Sequence, residues 1–114
     1  MSNFKNKILF VCSRNKWRSL TAEKIFENFG KYEVRSAGTE KGARIKITPG
    51  LVSWADLIFV MEKKHSQVIK HKFDAELAQK KVICLNIPDE FQYMDEELVE
   101  LLKGRLSEYI EVPD

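Results

Sequence analysis

Cysteine is scarce in this chain, with two in 114 residues, and neither Cys12 nor Cys84 stands in a Cys-x-x-Cys pair or beside a histidine at zinc-ligand spacing. That excludes a disulfide scaffold and argues against a structural metal. Proline and glycine are also few, three and five, and no segment is rich enough in them to mark a linker or a low-complexity tract. No apolar run approaches the roughly 20 residues that span a bilayer, and the opening Met-Ser-Asn-Phe-Lys lacks the apolar stretch of a secretory leader. Net charge is only +2, from 19 basic and 17 acidic residues, a field too weak to point to nucleic acid. These absences leave residues 1–114 as one domain, expected in the cytoplasm, with no membrane partner.

What is present is a core-forming pattern. Lys7 to Val11 is a short apolar run without strict alternation, as suits a parallel strand buried on both faces. After Ser19 the residues Ala22, Ile25, Phe26 and Phe29 recur at helical spacing, with Gly30 as a stop. Further strands are predicted at Tyr32–Ser36, Leu57–Met61 and Lys81–Asn86. A short helix should open at Thr48-Pro49 and run through Trp54, whose indole reads as packing, and another should cover Lys63–Lys72. The last helix should start at an Asp95 cap and turn Leu98, Leu102, Leu106 and Tyr109 inward. Strands alternating with helices predict a three-layer α/β/α fold around a four-stranded parallel sheet, with ligands at the carboxyl ends of the strands.

Basic residues gather in the first half, from Lys5 and Lys7 to Lys46, while acids dominate from Asp89 to Glu111. An anionic group would therefore be drawn to the first half. Cys12, at the end of the first strand, begins Cys12-Ser13-Arg14-Asn15-Lys16-Trp17-Arg18-Ser19, which fits Cys-x5-Arg-Ser between a buried strand and an amphipathic helix. A loop so placed can turn backbone amides and a helix N-terminus onto one point, which makes a site for a phosphate dianion. Arg18 can add two parallel hydrogen bonds to phosphate oxygens. A thiol is a poor nucleophile until deprotonated, and helix N-termini and adjacent cations favour the thiolate. Cys12 is therefore the candidate nucleophile, with Ser19 placed to hydrogen-bond its sulfur.

This loop resembles that of the low-molecular-weight protein tyrosine phosphatases and the related arsenate reductases, Cys-x2-Asn-x-Cys-Arg-Ser, which Cys12, Asn15, Arg18 and Ser19 match in place. Ser36-Ala37-Gly38-Thr39 extends the likeness, and Ala55-Asp56-x-Ile58-x-x-Met61 does so more loosely. The resemblance implies a short, bacterial-type phosphatase with sheet order 2-1-3-4 and no cofactor, acting through a phosphocysteine. It also implies that Asn15 and Ser36 hold the loop in shape. Three departures are an arginine, Arg14, in place of the usual glycine, Trp17 in place of the second cysteine, and a shorter chain.

The family's general acid lies in Asp-Pro-Tyr/Phe, for which the nearest equivalent is Pro88-Asp89-Glu90-Phe91. Asp89 is the expected acid, with Glu90 as an alternative. Phe91 and Tyr93 are candidates to wall an aromatic leaving group, and Lys16 and Trp17 to edge the pocket. His65 and His71, on a lysine-rich helix, read as surface residues. The implied substrate is a phosphotyrosine protein or a small aryl phosphate. Two alternatives stand beside it. One is a phosphate- or phosphoprotein-binding module with little turnover. The other is an arsenate reductase, which would need more thiols than Cys84, itself in an apolar run, can supply. Lys41, Arg44 and Lys46 form a charge cluster of the kind that usually lines a solvated loop.

Overall fold

The computed structural model describes residues 6–78 and 80–114. Lys5 and the opening segment discussed above lie outside these residues. Four parallel strands form one sheet in the order β2-β1-β3-β4, with β1 Asn6–Cys12, β2 Tyr32–Gly38, β3 Leu57–Val60 and β4 Val82–Cys84. The order matches that implied by the resemblance. The helices are α1 Arg18–Ile25, α2 Pro49–Trp54, α3 Lys63–Lys72, α4 Asp74–Leu77 and α5 Glu96–Leu106. None of them is long and apolar enough to cross a membrane.

Strand β1 pairs with β2 on one edge and β3 on the other, helices cover both faces of the sheet, and Ile8 to Val11 are fully buried. Alternate residues feed two cores. Ile8, Phe10 and Cys12 face α1 and α5, where Ala22, Phe26, Leu98, Leu102 and Leu106 are buried. Leu9 and Val11 face the other layer, with Val52 of α2, Ile69 of α3 and Leu77 of α4. The Phe10 ring lies 5.8 Å from both Phe26 and Phe59, an offset packing that fixes the middle of the sheet. This anchors the strand that carries Cys12.

The local chemistry of the helix ends follows the residues. Thr48 accepts from Leu51 N at 3.1 Å, with Pro49 in the first helical position, and Asp95 accepts from Glu97 N at 2.9 Å. Two expectations shift, and one helix had no counterpart among them. Strand β4 is shorter than the apolar run and only partly buried, but Leu85 and Ile87, both buried, still donate to Val60 O and Met61 O, so the pairing continues past it. Tyr109 lies beyond α5 and is half-exposed, touching the core through Phe59 at 5.9 Å. Helix α4 gave no distinct pattern because a single turn is too short to display one.

Candidate active site

Strand β1 ends at Cys12 and α1 begins at Arg18, so five residues turn the chain at the carboxyl edge of the sheet. The carbonyls of residues 12–15 point outward. Cys12 O accepts from Thr39 N at 3.0 Å, Ser13 O from Glu40 N at 2.9 Å, Arg14 O from Arg44 N at 2.9 Å and Asn15 O from Arg44 Nε at 3.2 Å. In a trans peptide the N–H points opposite to the carbonyl of its own plane, so the amides of residues 13–16 turn the other way. Asn15 N accordingly donates to Cys12 Sγ at 3.2 Å.

Asn15 reaches this geometry at φ 57°, a left-handed conformation that asparagine tolerates. Its Nδ2 donates to Ser19 Oγ at 2.8 Å, which leaves the Ser19 hydrogen for the sulfur 2.9 Å away. Both donors stabilise negative charge on Cys12. Arg14 has φ below zero and an exposed side chain, so the loop needs no glycine there. The close approach falls at Gly38 instead, where an added Cβ would meet Ser13 O at 2.6 Å and Arg14 C at 2.9 Å. A methyl at Gly38 would therefore push the loop out of place.

Arg18 is buried at 3% exposure, and its Nη1 donates to Ile87 O at 2.9 Å and to the Glu62 carboxylate. Its Nε lies 3.7 Å from Asp89 Oδ1. The hydrogen bond from Arg18 holds the Glu62 carboxyl below the usual carboxylate range, against the opposing effect of burial. His65, one turn into α3, accepts from Glu62 N at 3.0 Å through Nδ1 and meets Ser13 Oγ at 2.9 Å through Nε2. Burial first, and then the Arg18 charge, bring the His65 pKa down to about 4.

A histidine that stays neutral when folded but takes up a proton when unfolded makes folding sensitive to acid. Above its ordinary value of 6.5 His65 contributes no pH dependence. Below it, stability falls as the pH approaches 4, by as much as about 3 kcal/mol. Glu62 acts in the same direction below its own ordinary value of 4.5. Urea unfolding followed from pH 7 to pH 4 should show this loss in the parent protein and a smaller one in His65→Gln. Equal slopes in the two proteins would assign the acid sensitivity to other groups.

The loop opens into a cavity of about 350 Å³ lined by Cys12, Ser13, Arg14, Lys16, Trp17 and Arg18. Glu40, Lys64 and Asp89 complete the wall. Cys12 is 3% exposed at its base, and Trp17 is 45% exposed at its edge. Asn15 and Ser19 lie behind the loop, fully buried. Such an enclosure can hold a tetrahedral dianion between inward amides and a guanidinium, above a sulfur.

Other expected residues lie elsewhere. Ser36 donates its hydroxyl to Glu23 of α1 rather than to the loop, and Asn15 Oδ1 is buried with no hydrogen-bond partner among the described residues. Phe91 is half-buried against the α1/α5 core, beside Glu96 and Leu101, and does not line the cavity. Tyr93 is 42% exposed and does not line it either. The chain is drawn that way because Met94 N donates to Thr21 Oγ1 at 2.9 Å. Trp17 is the aromatic residue of this wall. His71 is exposed as expected, whereas His65 is fully buried beneath the loop. Cys84 is only half-buried and opens on a separate hollow with Asn86 and Arg105.

Sequence reasoning missed Glu40, Glu62 and Lys64, and it read Arg44, which holds the loop carbonyls, as part of a solvated charge cluster. Glu62 and His65 were detectable, because their side chains and backbone amides form a capping box at the start of α3.

Residues 7–53 match the family model for low molecular weight phosphotyrosine protein phosphatase. No curated protein sequence matches the chain. Among solved structures, the tyrosine phosphatase Wzb from Escherichia coli K30, in complex with phosphate, is 22% identical with a TM-score of 0.74, covering 93% of this chain and 96% of its own. Wzb from Vibrio vulnificus, in complex with benzylphosphonate, is 23% identical with a TM-score of 0.73, covering 93% and 97%. A mutant of YwlE from Bacillus subtilis is 26% identical with a TM-score of 0.67, covering 91% and 97%; YwlE from Geobacillus stearothermophilus, an arginine phosphatase, is 21% identical with a TM-score of 0.68, covering 95% and 99%. The family match covers residues 7–53, the part of the chain that carries the loop, and over more than nine-tenths of its length the chain shares the fold of these structures, with the sheet order described above.

Proposed function

We propose that this protein hydrolyses phosphotyrosine and related aryl phosphates through a phosphocysteine at Cys12. The observation that carries this reading is the sulfur at the base of the cavity, with Asn15 N and Ser19 Oγ directed at it and Arg18 buried alongside. The Cys12 thiolate attacks phosphorus; the S–P bond forms as the bond to the aryl oxygen breaks. Loop amides and Arg18 stabilise charge on the transferring oxygens. Asp89, protonated, gives its proton to the departing phenolate. Its carboxylate then takes a proton from water, which attacks phosphorus and restores the thiolate with release of phosphate.

Charge at the rim favours an aryl ester over a phosphorylated guanidine. Arg14, Lys16 and Lys64 meet the substrate there, while the two wall carboxylates already face cations: Glu40 faces Arg14 at 3.4 Å, and Asp89 faces Arg18. To meet a guanidinium, either carboxylate would have to turn from the cation that it now faces. Trp17 offers a flat apolar surface to an aromatic ring. The test is hydrolysis of an aryl phosphate beside phosphoarginine, in the presence of a chelator, with quenched samples analysed for phosphate on Cys12. Aryl turnover without a phosphocysteine would overturn the mechanism, and faster release from phosphoarginine would overturn the substrate assignment.

Asp89 has its own test. Asp89→Asn should lower kcat about 100-fold or more for a phenyl ester, whose leaving group needs a proton, and far less for an ester of an acidic phenol. The basic limb of the pH–rate profile should disappear with it. An unchanged profile would move the acid elsewhere, with Glu90 the first residue to examine.

A further inference from the structure

A residue of the loop and one beneath it form a relay that the mechanism above does not use. Ser13 is buried at 8% exposure, lines the cavity, and has its Oγ 2.9 Å from His65 Nε2. His65 is fully buried. Its protonation pattern follows from its other contact, because a backbone N–H can only donate. The Glu62 amide, 3.0 Å from Nδ1, therefore requires an unprotonated Nδ1. The neutral ring then carries its hydrogen on Nε2 and donates it to Ser13 Oγ. With that lone pair occupied, the Ser13 hydroxyl has its own hydrogen left to donate, and Ser13 opens on the cavity.

We infer that the Ser13 hydroxyl is a direct phosphate donor and that His65 is the positioning residue that aims it. The inference rests on the phosphatase reading for the identity of the anion. The start of α3 thereby sets two ligands together: the Glu62 side chain holds Arg18, and the Glu62 amide fixes the tautomer of His65. Arg18, Glu62, Lys64 and Glu40 are the charged groups that act on the ring. A proton added to Nδ1 would confront the Glu62 N–H and break the box.

The test measures binding of inorganic phosphate by calorimetry or NMR titration, which needs no turnover. Ser13→Ala should weaken phosphate about tenfold, the loss expected for one hydrogen bond to a charged acceptor. His65→Phe, which fills the ring volume without a donor, should weaken it by a similar factor. The Ser13→Ala/His65→Phe double variant should be no weaker than either single one, since both remove the same bond. His65→Gln, whose amide can still donate to Ser13, should stay within about threefold of the parent. Should His65→Phe fail to fold, Ser13→Ala and His65→Gln carry the test.

Phosphate affinity unchanged in Ser13→Ala would overturn the donor role. Full additivity in the double variant, or a loss in His65→Gln as large as that expected of Phe, would overturn positioning through Ser13. The phosphatase reading fails separately. Tight phosphate binding that depends on Ser13, in a protein that turns over no aryl phosphate, would sustain the relay and discard the enzyme.

Discussion

Cys12→Ser is expected to reduce aryl-phosphate hydrolysis by at least about 10,000-fold while leaving phosphate binding within a few-fold of the parent. Removal of a covalent nucleophile costs rate factors of this order or more. A serine hydroxyl at this position has no adjacent general base: its neighbours would be the Asn15 N–H and the Ser19 hydroxyl, both arranged here as donors to the sulfur. The groups expected to bind phosphate are untouched, and the exchange alters one buried atom. Binding and turnover should therefore separate, measured by phosphate titration and steady-state kinetics on the same preparation. Hydrolysis within tenfold of the parent would remove Cys12 from the mechanism. A parallel loss of binding would indicate that the sulfur shapes the loop.

Arg18→Lys is expected to have the next largest effect, a fall of about 100- to 1,000-fold in kcat/KM with weaker phosphate binding. Arg18 uses Nη1 on Ile87 O and the Glu62 carboxylate, which leaves its remaining donors for the cavity. A lysine ammonium is a point charge on a flexible stem and cannot grip Glu62 and Ile87 O while forking onto two phosphate oxygens. The deficit should also appear as lower stability, by roughly 1–3 kcal/mol, because Ile87 O or Glu62 would lose its partner in a buried setting. Kinetics, phosphate titration and urea unfolding together check this. A variant with near-parent kcat/KM would mean that the loop amides alone hold the transferring group.

The candidate site divides by how far apart its parts lie in the chain. Cys12, Asn15, Arg18 and Ser19 were legible because they fall within one turn between a strand and a helix, where local backbone geometry dictates their arrangement. The parallel sheet was legible for a similar reason, since short apolar runs spaced by helical patterns have few ways to bury both faces of a strand. Asp89 could be placed only by the neighbouring proline and aromatic residues. The structure puts it 3.7 Å from Arg18 and on the cavity wall.

The roles of Phe91, Tyr93, Trp17 and His65 were decided by tertiary packing. Phe91 and Tyr93 share a segment with Asp89, but that segment is tied to α1 through Met94 and Thr21, and the two rings turn from the cavity. His65 sits among Lys63, Lys64, Gln67 and Lys70, a setting that reads as solvated. Docking α3 on the sheet nevertheless carries its first turn beneath the loop. The sequence by itself thus determined the sheet, its helices and the loop around Cys12, because these follow from the period of apolar residues and from one contiguous motif. Only the tertiary structure decided which distant carboxylate holds Arg18 and which way His65 faces. Those contacts join residues dozens of positions apart, and they depend on how whole helices pack, which no local pattern encodes.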